Sequence, residues 1–314
     1  MNKDSRIFIA GHNGLVGSAI MRKLRSEGYG NIILRSSSEL DLRDQISVAS
    51  FFSTEKPEYV FFAAGTVGGI MANVSFPADF IYNNLMMISN TLQAAKENKV
   101  KKFLYLGSSC IYPKNPIQPM KEECLLTGAL EETNKSYALA KISGIEMCFA
   151  FNKQFGMNNI CLIPTNMFGI NDNYHLTNSH LVAALIRKFH EAKINNLPCV
   201  ELWGTGTPQR EILSSDELAK ACLYFMLNYS GNDVINIGVG KDSSISEIAD
   251  LIKSVVNYKG QIKFDTSKPD GTKRKLLDIS KATKIGWSSE SELYDDLSKT
   301  YLDFVENYTK YKNK

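Results

Sequence analysis

No run of 18 or more apolar residues occurs in the 314 residues, so a membrane span is not expected. A secretory signal is lacking as well: "MNKDSRIFIAGHNG" runs straight into a predicted strand. Charge of one sign is not in excess. The net charge is +3, and the densest basic cluster, "KRK" at 273–275, is three residues long. That points away from a nucleic-acid partner and reads as a solvated turn or an anion contact. The six cysteines (Cys110, Cys124, Cys148, Cys161, Cys199 and Cys222) contain no C-x-x-C pair, and His12, His175, His180 and His190 show no metal-binding spacing. Neither a metal site nor a disulfide framework is expected; several of the thiols fall in apolar segments, as suits a reducing cytoplasm. Low-complexity segments and internal repeats are also missing. What is present is an ordinary globular balance, 44% hydrophobic and 22% charged, on a chain long enough for one large domain or two smaller ones.

The first half alternates short apolar runs with helical patterns. "RIFIAG", "NIILR", "EYVFFAAG", "KFLYLGSS" and "NICLIPTN" read as strands. Between them, "GLVGSAIMRKLRSEG", "SVASFFSTEK", "NNLMMISNTLQAAKENK" and "SYALAKISGIEMCFAFNKQFG" read as helices. Continuously apolar strands alternating with helices imply a parallel sheet covered on both faces, and right-handed crossovers make it an α/β, Rossmann-type doubly wound fold. After about residue 164 the pattern loosens. The expected division is a dinucleotide-binding domain over 1–164 plus about 215–240, with a smaller interleaved substrate-binding region over about 165–214 and 241–314.

Gly11, Gly14 and Gly17 form G-x-x-G-x-x-G between the first strand and the first helix. Glycines there permit a tight turn and close backbone approach, and the helix N-terminus offers free N–H groups to a pyrophosphate. At the end of the second strand stands Arg35, followed by serines, where an acid would select NAD. A guanidinium suits the 2′-phosphate of NADP. NADPH is therefore the expected cofactor, with NADH as the alternative, and Asp41 and Leu42 flank the adenine.

Ser108, Ser109 and Cys110 fall at the carboxyl end of the fourth strand, where open α/β sheets bind ligands. Tyr137 and Lys141 are four residues apart and share one helical face. An ammonium beside a phenol is expected to lower the phenol's pKa and make it a usable proton donor or acceptor. A ketone that accepts hydride develops charge on oxygen. Ser108 and Tyr137 would meet that oxygen while Lys141 holds the nicotinamide ribose.

In the order glycine turn, "SSC" and "YxxxK", the chain resembles the extended short-chain dehydrogenase/reductases, and more closely the GDP-L-fucose synthase family. The resemblance also rests on "LGSSCIYPKNPIQPM", "PTNMFGINDNYH", "NSHLVAALIRKFHEAK", "WGTGTPQRE" and "KPDGTKRKLLD" and covers nearly the whole chain. It implies reduction at C4 of a GDP-4-keto-6-deoxy sugar, joined to epimerisation at C3 and C5 with Cys110 as base and His180 as acid. It further implies cofactor contacts at Asn13, Leu15, Val16, Pro164 and Asn166. Substrate contacts are implied at Ser109, Asn166, Lys188, Trp203, Arg210 and Asp270. A homodimer through the helices "NNLMMISNTLQAAKENK" and "SYALAKISGIEMCFAF" is implied too.

The chain departs from the family pattern near the site. Lys135 and Ser136 precede Tyr137 where "EP" is usual, and Thr66 replaces a lysine. Ser214 and Ser215 follow "REIL", and Asn13 and Ser37 replace two arginines. The alternative is thus a reductase without epimerisation, acting on a GDP-4-keto-6-deoxy-heptose for a surface polysaccharide. A 4-epimerase or dehydratase with tightly held NAD is a further reading, although Ser109 and Cys110 stand where a dehydratase carries an Asp-Glu pair. A non-catalytic nucleotide sensor is disfavoured by intact Ser108, Tyr137 and Lys141.

Overall fold

Consecutive apolar residues are buried on both sides only inside a covered sheet, and that is where these runs lie. In the computed structural model, which describes residues 1–175 and 179–312, the chain begins β1 (Ile7–Ala10), α1 (Leu15–Ser26), β2 (Ile32–Ile33), α2 (Gln45–Glu55) and β3 (Tyr59–Phe62). It continues α3 (Ile70–Ser75), α4 (Pro77–Glu97), β4 (Lys102–Leu106), α5 (Lys135–Phe155) and β5 (Asn159–Pro164). Then follow β6 (Asn166–Phe168), α6 (Leu181–Ile194), β7 (Cys199–Trp203), β8 (Gln209–Arg210), β9 (Ile212–Ser214), α7 (Ser215–Asn228) and β10 (Val234–Ile237). The chain ends β11 (Ser243–Ser244), α8 (Ile245–Val256), β12 (Gln261–Asp265), β13 (Arg274–Lys275), α9 (Ser280–Ile285), α10 (Leu293–Glu306) and α11 (Tyr308–Lys312).

Six strands form one parallel sheet in the order β2-β1-β3-β4-β5-β10, with Phe8 opposite Val60, Phe61 opposite Leu104 and Tyr105 opposite Cys161. Alternation along each strand divides the core. Phe8, Phe62 and Phe103 face α2, α4 and α5, while Ile7, Ile9, Phe61 and Leu104 face α1 and α7. Burying each of these side chains is worth ~1.5–3 kcal/mol. The strand order reverses between β1 and β3, and this switch point fixes where a ligand crevice opens.

A third core gathers Phe168, Phe189, Ile248, Ile252, Leu297 and Phe304, from β6, α6, α8 and α10. Leu277, Ala282 and Trp287 turn back to pack on the main sheet. Three small sheets complete the C-terminal part: β6 with β9, β7 with β12, and β8 between antiparallel β11 and parallel β13.

Local chemistry explains several boundaries. The Asp44 carboxylate accepts from the N–H groups of Ile46 (2.9 Å) and Ser47 (3.3 Å) and starts α2, a cap worth about 1 kcal/mol. Gly156, at φ +67°, ends α5. The expected strand over 31–35 shortens to Ile32–Ile33. The chain turns instead at Ser36, whose N–H and hydroxyl both donate to Glu39, each at 2.7 Å. Among the described residues no helix is long and apolar enough to cross a membrane.

Candidate active site

A cleft of about 970 Å³ opens at the carboxyl ends of β1, β3, β4 and β5. Its floor is the crossing of two turns. Gly11 has φ +85°, and a Cβ there would lie 2.7 Å from the Ala64 nitrogen, so only glycine lets β1 and β3 approach. Gly17 is off the cleft wall; its missing side chain lets α1 rest on the turn, since a Cβ would stand 2.1 Å from the Gly11 oxygen. Gly14 caps α1 without a side-chain hydrogen bond, and the first turn carries no acid. The free N–H groups of that helix end therefore face the cleft beside Asn13, Leu15 and Val16, a cradle that fits a dinucleotide pyrophosphate.

Arg35, Asp41 and Leu42 line the same cleft beside Ser36, Ser37 and Ser38. Arg35 is already engaged: it donates to Glu55 and to the Leu34 carbonyl (2.8 Å), and its guanidinium lies 5.7 Å from the Phe51 ring centroid. A hydrogen bond from Arg43 holds the Asp41 carboxyl below the usual range. Pro164 and Asn166 form the opposite wall, where Asn166 is oriented by donating to the Glu211 carbonyl at 2.8 Å.

The groups expected to react converge at the end of β4. The Ser108 hydroxyl oxygen accepts weakly from the Cys110 N–H (3.5 Å), and this hydroxyl acts on both the Tyr137 phenol and the Cys110 thiol, favouring the ionised form of each. Tyr137 and Lys141 project from the N-terminal half of α5 as their spacing implies, and both line the cleft. The expected lowering of the phenol's pKa does not occur. Lys141 donates to the Leu106 carbonyl at 2.9 Å, and its ammonium lies 5.7 Å from the Tyr137 ring centroid. Burial dominates and drives the phenol well up, the neighbouring Cys110 adds to this, and Ser108 recovers part of the shift. Tyr137 therefore rests protonated, the form a proton donor needs. Burial also brings the Lys141 ammonium down to about 8.

Cys110 is buried and does not line the main cleft. It occupies a small adjoining recess that shares Ser109 with it, and desolvation pushes its thiol up. His180, the cap of α6, stands exposed on the cleft wall, its imidazole pulled down by the surrounding protein. Asn178 of "NSH" lies outside the described residues.

Of the expected substrate contacts, Ser109, Asn166 and Arg210 are on the cleft. Arg210 donates to the Thr272 carbonyl at 2.6 Å. Lys188, Trp203 and Asp270 are not on its wall. Lys188 reaches the Glu201 carbonyl (3.2 Å), and Trp203 is an exposed indole with the Lys268 ammonium 5.7 Å from its ring centroid. Both oxygens of Asp270 are taken by Thr205, from its N–H and its hydroxyl at 2.8 Å each, which clamps the 204–207 turn.

Sequence reasoning named only Thr66 of one wall segment, Ala63–Gly68, and gave no role to a second, Asn171–Tyr174. The first follows β3 at the switch point, a signal available once the sheet order is known. The second carries Asn171, which donates to the Asn13 carbonyl at 2.6 Å and so braces the phosphate turn from the C-terminal half. No periodicity announces such a contact.

The NAD dependent epimerase/dehydratase family matches residues 7–238. GDP-L-fucose synthase 1 of Arabidopsis thaliana is 51% identical over 306 residues, 98% of this chain and 95% of the relative. The GDP-L-fucose synthase of Escherichia coli (strain K12) is 48% identical over 318 residues, 98% of each chain. In structure the chain is similar to a GDP-mannoheptose C4 reductase from Campylobacter jejuni with NADP bound, at TM-score 0.88 and 38% identity over 97% of this chain and 99% of that one. With the glycine cradle, the Ser108–Tyr137–Lys141 cluster and this extent of likeness, the chain belongs to the GDP-L-fucose synthase family, within the NAD dependent epimerase/dehydratase family.

Proposed function

We propose that this protein is an NADPH-dependent 3,5-epimerase and 4-reductase that converts GDP-4-keto-6-deoxymannose to GDP-L-fucose. The observation that carries the reading is the placement of the Ser108 hydroxyl between Tyr137 and Cys110. One carbonyl oxygen bound at Ser108 lies within the field of both the proton donor for reduction and the base for epimerisation.

The C4 ketone acidifies C3 and C5, because the electron pair left behind delocalises onto the C4 oxygen. Cys110, as thiolate, removes a proton there, and His180, as imidazolium, returns one from the opposite side. Ser108 and Tyr137 hold the C4 oxygen, and Tyr137 gives it a proton during reduction. Bound in the glycine cradle, NADPH supplies the hydride. Lys141, anchored on the Leu106 carbonyl, keeps a positive charge beside Tyr137. Arg35 and the serines after it support NADPH over NADH: the guanidinium, held by Glu55 on the cleft wall, would meet a 2′-phosphate. Arg210 is the cation for the diphosphate, and exposed Trp203 offers a stacking surface for the base.

The enzyme is a homodimer in this reading, joined through α4 and α5, which pack together and present exposed Tyr82 and Leu139. The six free cysteines suit a cytoplasmic setting. Reduction of a GDP-4-keto-6-deoxy-heptose is the second reading. It draws on Thr66, which leaves a short side chain on the cleft wall where the family carries lysine.

The test is NADPH oxidation with each keto-sugar in turn, with the product identified by NMR. GDP-L-fucose from the hexose is the expected result. Turnover of the heptose alone supports the second reading, and oxidation with neither refutes both.

A further inference from the structure

We infer that Lys275 is a positioning residue for the epimerisation half of the reaction: its ammonium favours the thiolate form of Cys110 against the burial that opposes it. The inference rests on the proposed role of Cys110 as the base.

Strand register places the lysine. β13 runs parallel to β8, with Lys275 opposite Arg210 and Arg274 opposite Gln209. Paired residues share a face and neighbours along a strand alternate, so Lys275 points with Arg210 while Arg274 points away. Arg274 is indeed turned aside, donating to Asp242 at 2.6 Å. The strand is pinned on both sides: the Gln209 N–H donates to the Lys273 carbonyl (2.9 Å), the Glu211 N–H to that of Lys275 (3.2 Å), and the Met120 N–H to that of Leu276 (2.8 Å). Lys275 is thereby held in the small recess that contains Cys110.

The half-buried ammonium lacks another strong partner. Among the described residues it makes no hydrogen bond or salt bridge. The acid it feels, Glu131, pairs with Lys114 at 3.3 Å, and the other charge facing it, Arg210, is repulsive. Burial pulls the ammonium down, and Cys110 is the largest attraction that opposes this. Seen from the thiol, burial disfavours the anion. Ser108 by hydrogen bond, then Lys275, then Lys141 oppose this. Lys141 contributes least of the three and is committed to the Leu106 carbonyl. Without Lys275 the base would have no dedicated counter-charge.

In the step itself the thiolate sulfur takes the proton from C3 or C5 and becomes a thiol, and the electron pair passes to the C4 oxygen. His180 delivers a proton to the same carbon from the other side. Lys275 stays protonated throughout and forms no bond to the sugar.

The test titrates the thiolate by its ultraviolet absorbance, taken as the difference between each protein and its Cys110→Ser counterpart. Lys275→Met and Lys275→Gln should each raise the Cys110 midpoint by about one pH unit or more, the size expected for losing one close opposite charge, while Lys275→Arg should stay near wild type. Exchange of C3 and C5 hydrogens in D2O at neutral pH should fall about tenfold in the first two variants and recover in the third. NADPH binding, which needs no contact from Lys275, reports that each variant is folded. An unmoved midpoint in both neutral variants overturns the inference, and a raised KM for the GDP-sugar with an unmoved midpoint assigns Lys275 to the diphosphate instead. A wild type without exchange refutes the epimerase reading, and the midpoints then still decide whether Lys275 favours the thiolate.

Discussion

Three glycines with different surroundings separate backbone strain from the close approach that builds the cofactor cradle. Gly28 has φ +79° and nothing within 4 Å of where a Cβ would sit, so Gly28→Ala meets only the left-handed backbone, at a cost of about 1–2 kcal/mol. Gly11 has a similar φ, +85°, but its added methyl would meet the Ala64 nitrogen at 2.7 Å, the Ala64 Cα at 2.8 Å and the Ala63 carbonyl carbon at 2.9 Å. All three are backbone atoms at the switch point, so β1 and β3 must separate. Gly11→Ala should therefore lose about 1–3 kcal/mol more than Gly28→Ala, the usual cost of overpacking. Gly14 has φ −87°, and its methyl would meet only the Gly11 oxygen, at 3.4 Å. Gly14→Ala should be nearly neutral for stability but should weaken NADPH binding, because its side chain would enter the space meant for phosphate. Denaturant unfolding gives the stabilities and nicotinamide fluorescence the affinities. Equal losses for Gly11→Ala and Gly28→Ala would refute the account of the cradle, as would unchanged NADPH affinity in Gly14→Ala.

Tyr137→Phe should lower the rate of C4 reduction by a factor of ~10²–10⁴ with NADPH affinity preserved; a variant with wild-type turnover would remove Tyr137 as the donor. The pH profile should separate the two half-reactions. Lys141 is a cation below about 8, so reduction should fall as pH rises through that value, whereas exchange at C3 and C5 should rise with pH because burial raises the Cys110 thiol. A ratio of exchange to reduction that stays flat from pH 6 to 9 would contradict this. Lys102 is buried at the start of β4 and caps α7 by donating to the carbonyls of Phe225 (2.9 Å), Met226 (2.7 Å) and Tyr229. Lys102→Met should cost ~1–3 kcal/mol in unfolding free energy, since it strands those acceptors, and should leave KM values unchanged.

The parts of the site that could be read from the sequence are those set by local spacing. The glycine turn lies between an apolar strand and a helix, and Tyr137 and Lys141 share a face because a helix repeats every 3.6 residues. The end of β4 is marked by the break from apolar residues to serines. Head-group partners were not legible, because burial and tertiary contacts choose them. Lys141 selects the Leu106 carbonyl, Arg35 selects Glu55, and Asp270 selects Thr205. The two-residue strands β8 and β13 are too short to carry any alternation, so the pairing of Lys275 with Arg210 emerges only in three dimensions. The recess that hides Cys110 from the main cleft is invisible for the same reason. Near-continuous apolar strands correctly implied a sheet buried on both faces, while the reach of Leu277 and Trp287 back onto that sheet depends on the packing of the whole C-terminal segment.

The central claim is that one site carries out both proton exchange and hydride transfer on a single keto-sugar. Its most direct test is the reaction of GDP-4-keto-6-deoxymannose with NADPH in D2O, with deuterium located in the product by mass spectrometry and NMR. The account predicts GDP-L-fucose with solvent deuterium at C3 and C5 and none at C4. A reduced product free of deuterium at C3 and C5 would contradict it.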